Sequence, residues 1–154
     1  MFIRHYKLVL IFVFVCLSLF PKLSLADNVF NFRADVIGGS LRLSIKNMSG
    51  INYKISRLFT QNPAFGVLQV DVRSHGKAYS MVIPPNEDIQ SKENYIVLYP
   101  GDFFGRDMDI EWMLGLYGIK DGCYDLTIIY HDKMAKEFSA YAGSIKSNTV
   151  NVCL

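Results

Sequence analysis

Gly122-Cys123-Tyr124-Asp125-Leu126-Thr127-Ile128-Ile129-Tyr130-His131-Asp132, set against Thr149-Val150-Asn151-Val152-Cys153-Leu154, decides the fold class of this chain. In the first segment Tyr124, Leu126, Ile128 and Tyr130 share one face, and Cys123, Asp125, Thr127 and His131 share the other. In the second, Val150, Val152 and Leu154 alternate with Thr149, Asn151 and Cys153. Side chains of an extended chain point to opposite faces in turn, so both segments read as half-buried strands. Antiparallel pairing with Cys123 opposite Cys153 brings Tyr124 to Val152 and Leu126 to Val150. One register therefore satisfies a disulfide and an apolar face together, with the bridge on the outer face as a staple for the last strand.

The same period of two runs through most of the chain. Phe30, Phe32, Ala34 and Val36 alternate with Asn31, Arg33 and Asp35, and Leu41, Leu43 and Ile45 alternate with Arg42, Ser44 and Lys46. Tyr53 and Ile55 flank Lys54 in the same way, and Tyr95 to Tyr99 is a short apolar run. A two-residue loop at His75-Gly76, where Gly76 can take positive φ, pairs Val72 with Tyr79, Val70 with Met81 and Leu68 with Ile83. After the turn Pro100-Gly101-Asp102, a strand is expected with Met108, Ile110, Trp112 and Leu114 inward and Asp107, Asp109 and Glu111 outward. Helical periodicity is nearly absent; a short helical turn or a long polar hairpin loop fits Asp132 to Ala142. Roughly eight short strands with turn signals at regular spacing predict an all-β antiparallel sandwich.

The segment Leu114-x-x-Tyr117-x-Ile119-x-x-Gly122-x-Tyr124-x-Leu126 resembles the approach to strand F of immunoglobulin-like and fibronectin-type sandwiches. The resemblance implies that Tyr124, or else Tyr117, fastens the adjoining corner through its hydroxyl. Gly143 to Val150, with Pro100-Gly101-Asp102 upstream, is similar to the last strand of the Ig-like propeptides of deuterolysin-type metallopeptidases, which implies an inhibitory role. Trp112 precedes both cysteines, unlike the order in antibody domains, so the disulfide is expected to be cross-strand. Gly76 and Tyr79 resemble the Ser-Gly-x-x-Tyr loop of periplasmic lysozyme inhibitors in spacing, with His75 at the serine's place. The register above turns Tyr79 toward the core, which makes a plain hairpin turn the expectation.

Residues 1–26 carry the marks of a cleaved signal peptide: Arg4 and Lys7, an apolar run from Leu8 to Phe20, Pro21, then small residues Ser24 and Ala26 before Asp27. The run is shorter than the roughly 20 residues that span a bilayer, so no membrane span is expected after cleavage. Removing Arg4, Lys7 and Lys22 from 16 basic residues leaves 13 against 14 acidic ones, and the formal charge moves from +2 to −1. A nucleic-acid partner has no electrostatic support. Cys16 leaves as well, so Cys123 and Cys153 remain as a pair in an exported, periplasmic or extracellular, single domain of residues 27–154.

Chemistry-bearing motifs are sparse. Asp107, Asp109 and Glu111 would stand about 7 Å apart in successive pairs on one strand face, which suits a solvated or steering patch better than a calcium loop. His75 and His131 lack a nucleophile elbow, a His-Glu-x-x-His zinc motif or a phosphate loop around them. No catalytic residue, metal or cofactor is therefore expected. Phe103 and Phe104 in the turn from Pro100 to Asp107, and Phe138 and Tyr141 in the loop before the last strand, are apolar residues in polar stretches, candidates either to fold back over the sandwich ends or to anchor a protein partner. Asn47-Met48-Ser49 fits a glycosylation sequon.

The functional expectation is an exported, non-catalytic protein-binding module, an inhibitor or immunity protein that blocks a secreted enzyme or toxin. Phe103, Phe104, Phe138 and Tyr141 would anchor the partner and Asp107, Asp109 and Glu111 would steer it. The alternatives are an assembly subunit or chaperone that pairs through an edge strand, and a hydrolase of wall or surface polymer.

Overall fold

The computed structural model describes residues 29–154 and contains nine β-strands and one short α-helix. The signal peptide assigned to residues 1–26 lies outside the described residues. In chain order the strands are β1 (Phe30–Ile37), β2 (Ser40–Asn47), β3 (Tyr53–Ser56), β4 (Leu68–Ser74), β5 (Lys77–Tyr79), β6 (Tyr95–Leu98), β7 (Phe103–Asp109), β8 (Cys123–His131) and β9 (Ser144–Cys153); the helix α1 (Ile110–Gly115) follows β7. They form three antiparallel sheets, ordered β1-β2-β7, β3-β6 and β5-β4-β8-β9. The fold is thus all-β and sandwich-like. One apolar core joins Leu41, Leu43 and Ile45 of β2 to Val72 of β4 and to Leu126, Ile128 and Tyr130 of β8, all without solvent exposure.

The register expected for the last two strands is observed. Cys123 faces Cys153, Tyr124 faces Val152 and Leu126 faces Val150, and the exposed cysteines form a disulfide across 30 residues of chain. Beyond Thr127 the ladder slips: Thr127 still pairs with Thr149 in register, but Ile129 pairs with Lys146. The chain thus advances two residues on β8 for three on β9, which makes a bulge. The Ser147 hydroxyl accepts the Ile128 N–H at 2.9 Å in place of the lost ladder bond. Asn148 reaches the other sheet, where its Oδ1 accepts from the Ala34 N–H at 2.9 Å and its Nδ2 donates to the Ala34 carbonyl at 2.8 Å. One side-chain amide thereby closes the seam between the β1 and β9 edges.

The β4–β5 hairpin begins as expected and stops early. His75 and Gly76 both take positive φ, 50° and 77°, the two-residue geometry that matches strand twist, and Val72 pairs with Tyr79. The pairings of Val70 with Met81 and Leu68 with Ile83 do not form: β5 ends at Tyr79, while β8 pairs along the opposite edge of β4, Val70 with Ile128 and Leu68 with Tyr130. The N–H groups of Val82 and Ile83 turn instead to the Leu116 carbonyl, and Ile83 is exposed.

The second departure follows β7. Asp109 Oδ1 accepts the Trp112 N–H at 2.6 Å, a helix N-cap, and the strand gives way to α1. Ile110, Met113 and Leu114 are buried and Trp112 is exposed, so Met113, not Trp112, faces the core. Two further expectations change. Phe103 and Phe104 open strand β7 instead of lying in a turn. Asn47 is fully buried, with Nδ2 donating to the carbonyls of Ile51 (2.8 Å) and Leu98 (2.9 Å) and Oδ1 accepting from the N–H (3.0 Å) and hydroxyl (2.7 Å) of Ser49. It is a structural clamp in the folded chain, with no room for a glycan.

Of Tyr117 and Tyr124, Tyr117 makes a hydroxyl bond to backbone, donating to the Val70 carbonyl of β4 at 3.0 Å, 47 residues away in the chain instead of at the adjoining corner. Tyr124 packs edge-on against Tyr79, with ring centroids 5.3 Å apart. Burial pushes the Tyr117 hydroxyl up to about 12, and burial also raises Tyr130 and Tyr95. The folded chain holds these protons where an unfolded tyrosine, ordinarily near 10, releases them. Their stabilisation is therefore complete below about pH 10 and is lost as the pH rises above it. Urea midpoints should fall between about pH 10 and 12, and Tyr117→Phe should make that fall shallower. A flat profile would contradict the assignment.

Candidate functional site

The β1-β2-β7 sheet ends on an open strand. Asn47 N–H bonds to the Asp102 carbonyl and Ile110 N–H to the Gly39 carbonyl, one at each end of β7. This phase turns the peptide groups of Phe104, Arg106 and Met108 toward β2, where they face Ile45, Leu43 and Leu41. Phe103, Gly105 and Asp107 turn theirs the other way. No strand among the described residues pairs with that side of β7, and all three residues are exposed.

A groove of about 370 Å³ opens at the Arg106–Asp109 end of this strand. One wall is Arg106 to Asp109, the other is formed by Leu58 to Thr60 and Asn86 to Asp88, and Trp112 stands at its margin. The acidic groups Glu87, Asp88, Asp107 and Asp109 outnumber the single base Arg106 on its walls. Glu87 is braced: its Oε2 accepts the N–H groups of Gln61 (2.6 Å) and Asn62 (2.8 Å). Burial raises its proton affinity above the usual carboxylate range, while those two N–H groups oppose the shift. Asp107 sits opposite Arg42 on β2, and the two form a bidentate pair at 2.8 and 2.9 Å. The hydrogen bonds from Arg42 hold the Asp107 carboxyl below its usual range.

The sequence candidates divide between this edge and the interior. Phe103 is 74% exposed, the most exposed large apolar side chain of the described residues. Phe104 packs edge-on against Phe59 at 5.5 Å, Phe138 lies against Tyr95 at 4.7 Å, and Tyr141 packs edge-on against Phe30 at 4.9 Å and Tyr53 at 5.6 Å. Asp107 and Asp109 line the groove, Asp109 also caps α1, and Glu111 lies exposed on the first turn of α1 rather than on a strand. Trp112 is the contributor that sequence reasoning turned inward. The helical spacing of Ile110, Met113, Leu114 and Tyr117 behind Asp109 was the signal for its exposure.

A second hollow of about 410 Å³ lies beside the loop from Gln61 to Gly66, with Asp71, Tyr79, His131 and Lys133 among its lining residues. Gly66 is packed so closely against that loop that a side-chain Cβ would meet the Asn62 backbone at 2.6 Å. The loop therefore needs glycine there. His131 borders this hollow, whereas His75 lies in the turn beyond the opposite end of β4, so the two histidines do not form a cluster. Among the described residues, no group of three or more His, Cys, Asp or Glu side chains is arranged to hold a metal ion, and no helix is long and apolar enough to cross a membrane. No protein-family model matches the chain, and no curated protein matches it.

Proposed function

We propose that this chain is an exported, non-catalytic binding module that blocks a secreted enzyme or toxin, on an immunoglobulin-like scaffold. The observation that carries the reading is Phe103, an aromatic side chain 74% exposed at the start of β7, a strand whose outer edge pairs with no strand among the described residues, in a disulfide-stapled β fold. An exposed ring on a rigid support is suited to anchor a partner, because little conformational freedom is lost on docking. The strand orders β1-β2-β7 and β5-β4-β8-β9 support the immunoglobulin-like comparison, since both sheets carry strands from each half of the chain.

Phe103→Ala and Phe104→Ala separate binding from folding. Phe103→Ala should abolish capture of a specific exported protein and relief of that protein's activity should follow, with the melting temperature unchanged. Phe104→Ala, which removes a ring packed on Phe59, should lower stability by about 1–3 kcal/mol. Full capture and inhibition by the Phe103→Ala chain would refute the anchor. The assembly-subunit reading is favoured by the same open edge, and it predicts oligomers that persist on dilution.

A further inference from the structure

The β7 groove has features that a flat docking surface does not need. Asp107 lines it, and the β7 edge that continues from it offers outward peptide groups at Phe103, Gly105 and Asp107, spaced by two residues as in a strand awaiting a neighbour. Gly105 at the centre adds no side chain to the exposed face, so an approaching chain meets backbone there. The walls carry Glu87, Asp88, Asp107 and Asp109 against Arg106 alone. Trp112, 46% exposed, flanks the edge with an apolar and cation-attracting ring.

We infer that the free edge of β7 receives an extended, basic peptide segment of the partner protein by strand addition, with its Lys or Arg side chains held by Glu87, Asp88 and Asp109 and by the Trp112 ring. Backbone hydrogen bonds from the Gly105 and Asp107 peptide groups supply the register, and the acidic walls select the charge. A second copy of this chain is disfavoured as occupant, because β7 against β7 brings two acidic walls together. This inference rests on the binding-module reading and names the surface and partner chemistry it uses.

Trp112 is the only tryptophan of the chain, so its fluorescence reports occupancy of the groove. The probe is a short peptide alternating lysine and valine, compared with a glutamate–valine counterpart and with a lysine–valine peptide N-methylated at alternate backbone nitrogens. The lysine–valine peptide should shift Trp112 emission saturably and slow amide exchange at Gly105 and Asp107. N-methylation keeps the charge but removes donors, and should weaken binding about tenfold. Asp88→Lys, a change at an exposed residue, should weaken binding about five- to tenfold without altering the melting temperature. Equal binding of the N-methylated peptide, binding of the acidic peptide, or unchanged exchange at Gly105 and Asp107 would overturn strand addition. So would an identified partner whose capture needs Phe103 but ignores both Asp88→Lys and Gly105→Pro; that result would leave the binding-module reading standing. Loss of binding in the Phe103→Ala chain together with every peptide effect would remove neither, whereas a concentration-dependent dimer that quenches the Trp112 response would replace the peptide with a second copy.

Discussion

Cys153→Ser should lower the free energy of unfolding by about 3–4 kcal/mol, the chain-entropy value for a loop of this length. The bridge closes 30 residues that include both strands of the β8–β9 ladder and the connection between them. It stands one residue from the end of the chain, where Leu154 is held by its N–H bond to the Gly122 carbonyl. Without the bridge, the pairings from Tyr124–Val152 to His131–Ser144 alone keep β9 in register. The loss acts chiefly through the unfolded state, so the urea m-value should rise as the unlinked chain exposes more surface. Oxidised and reduced wild-type protein should differ in the same sense, since both cysteines are exposed to reductant. Equal unfolding free energies in the two redox states would show that the ladder alone suffices.

Asn47→Ala should cost about 3 kcal/mol or more, although it deletes only a few atoms. Its amide is saturated: two donors meet the Ile51 and Leu98 carbonyls, and one oxygen accepts twice from Ser49. Alanine leaves a buried Leu98 carbonyl without its partner and releases the turn from Ser49 to Ile51. The backbone of the same residue holds Gly101 and Asp102, so the clamp joins the end of β2 to both ends of the β6–β7 connection. Asn47→Asp separates shape from hydrogen bonding. It fits the same space but turns an acceptor toward two carbonyls, and should destabilise at least as much as alanine. Denaturation curves for the two variants check this, and a mild Asp variant would mean that the donors matter little.

The strands were readable because one face of each is buried, which forces a period of two. Leu41, Leu43 and Ile45 show it most cleanly, and the Cys123–Cys153 register followed because two independent demands coincided. Readings failed where a local pattern had two solutions. Ile110 and Leu114 are apolar under either a strand or a helix period, and only the choice between Trp112 and Met113 distinguishes them. The Asp109 cap tips that balance. The β4–β5 register failed beyond Tyr79 for a different reason: there the chain leaves the edge of β4 and gives the Val82 and Ile83 N–H groups to the Leu116 carbonyl, a long-range contact that leaves no trace in a local window. For the candidate site, Phe103 was visible as an apolar residue in a polar stretch. Its separation from Phe104, Phe138 and Tyr141 depends on which rings find neighbours, and those neighbours lie far away in sequence.

The burial of Asn47 has a consequence for how the protein can be made. Asn47-Met48-Ser49 satisfies the acceptor rule of the eukaryotic secretory pathway, where sugar is attached to the chain before it has finished folding. A glycan placed on Nδ2 would arrive before the amide meets the Leu98 and Ile51 carbonyls, and the finished fold has no space for it. Production in yeast, insect or mammalian secretion systems should therefore yield glycosylated, misfolded chains alongside any folded ones. A bacterial host, which leaves this sequon unread, should yield folded protein from the same sequence.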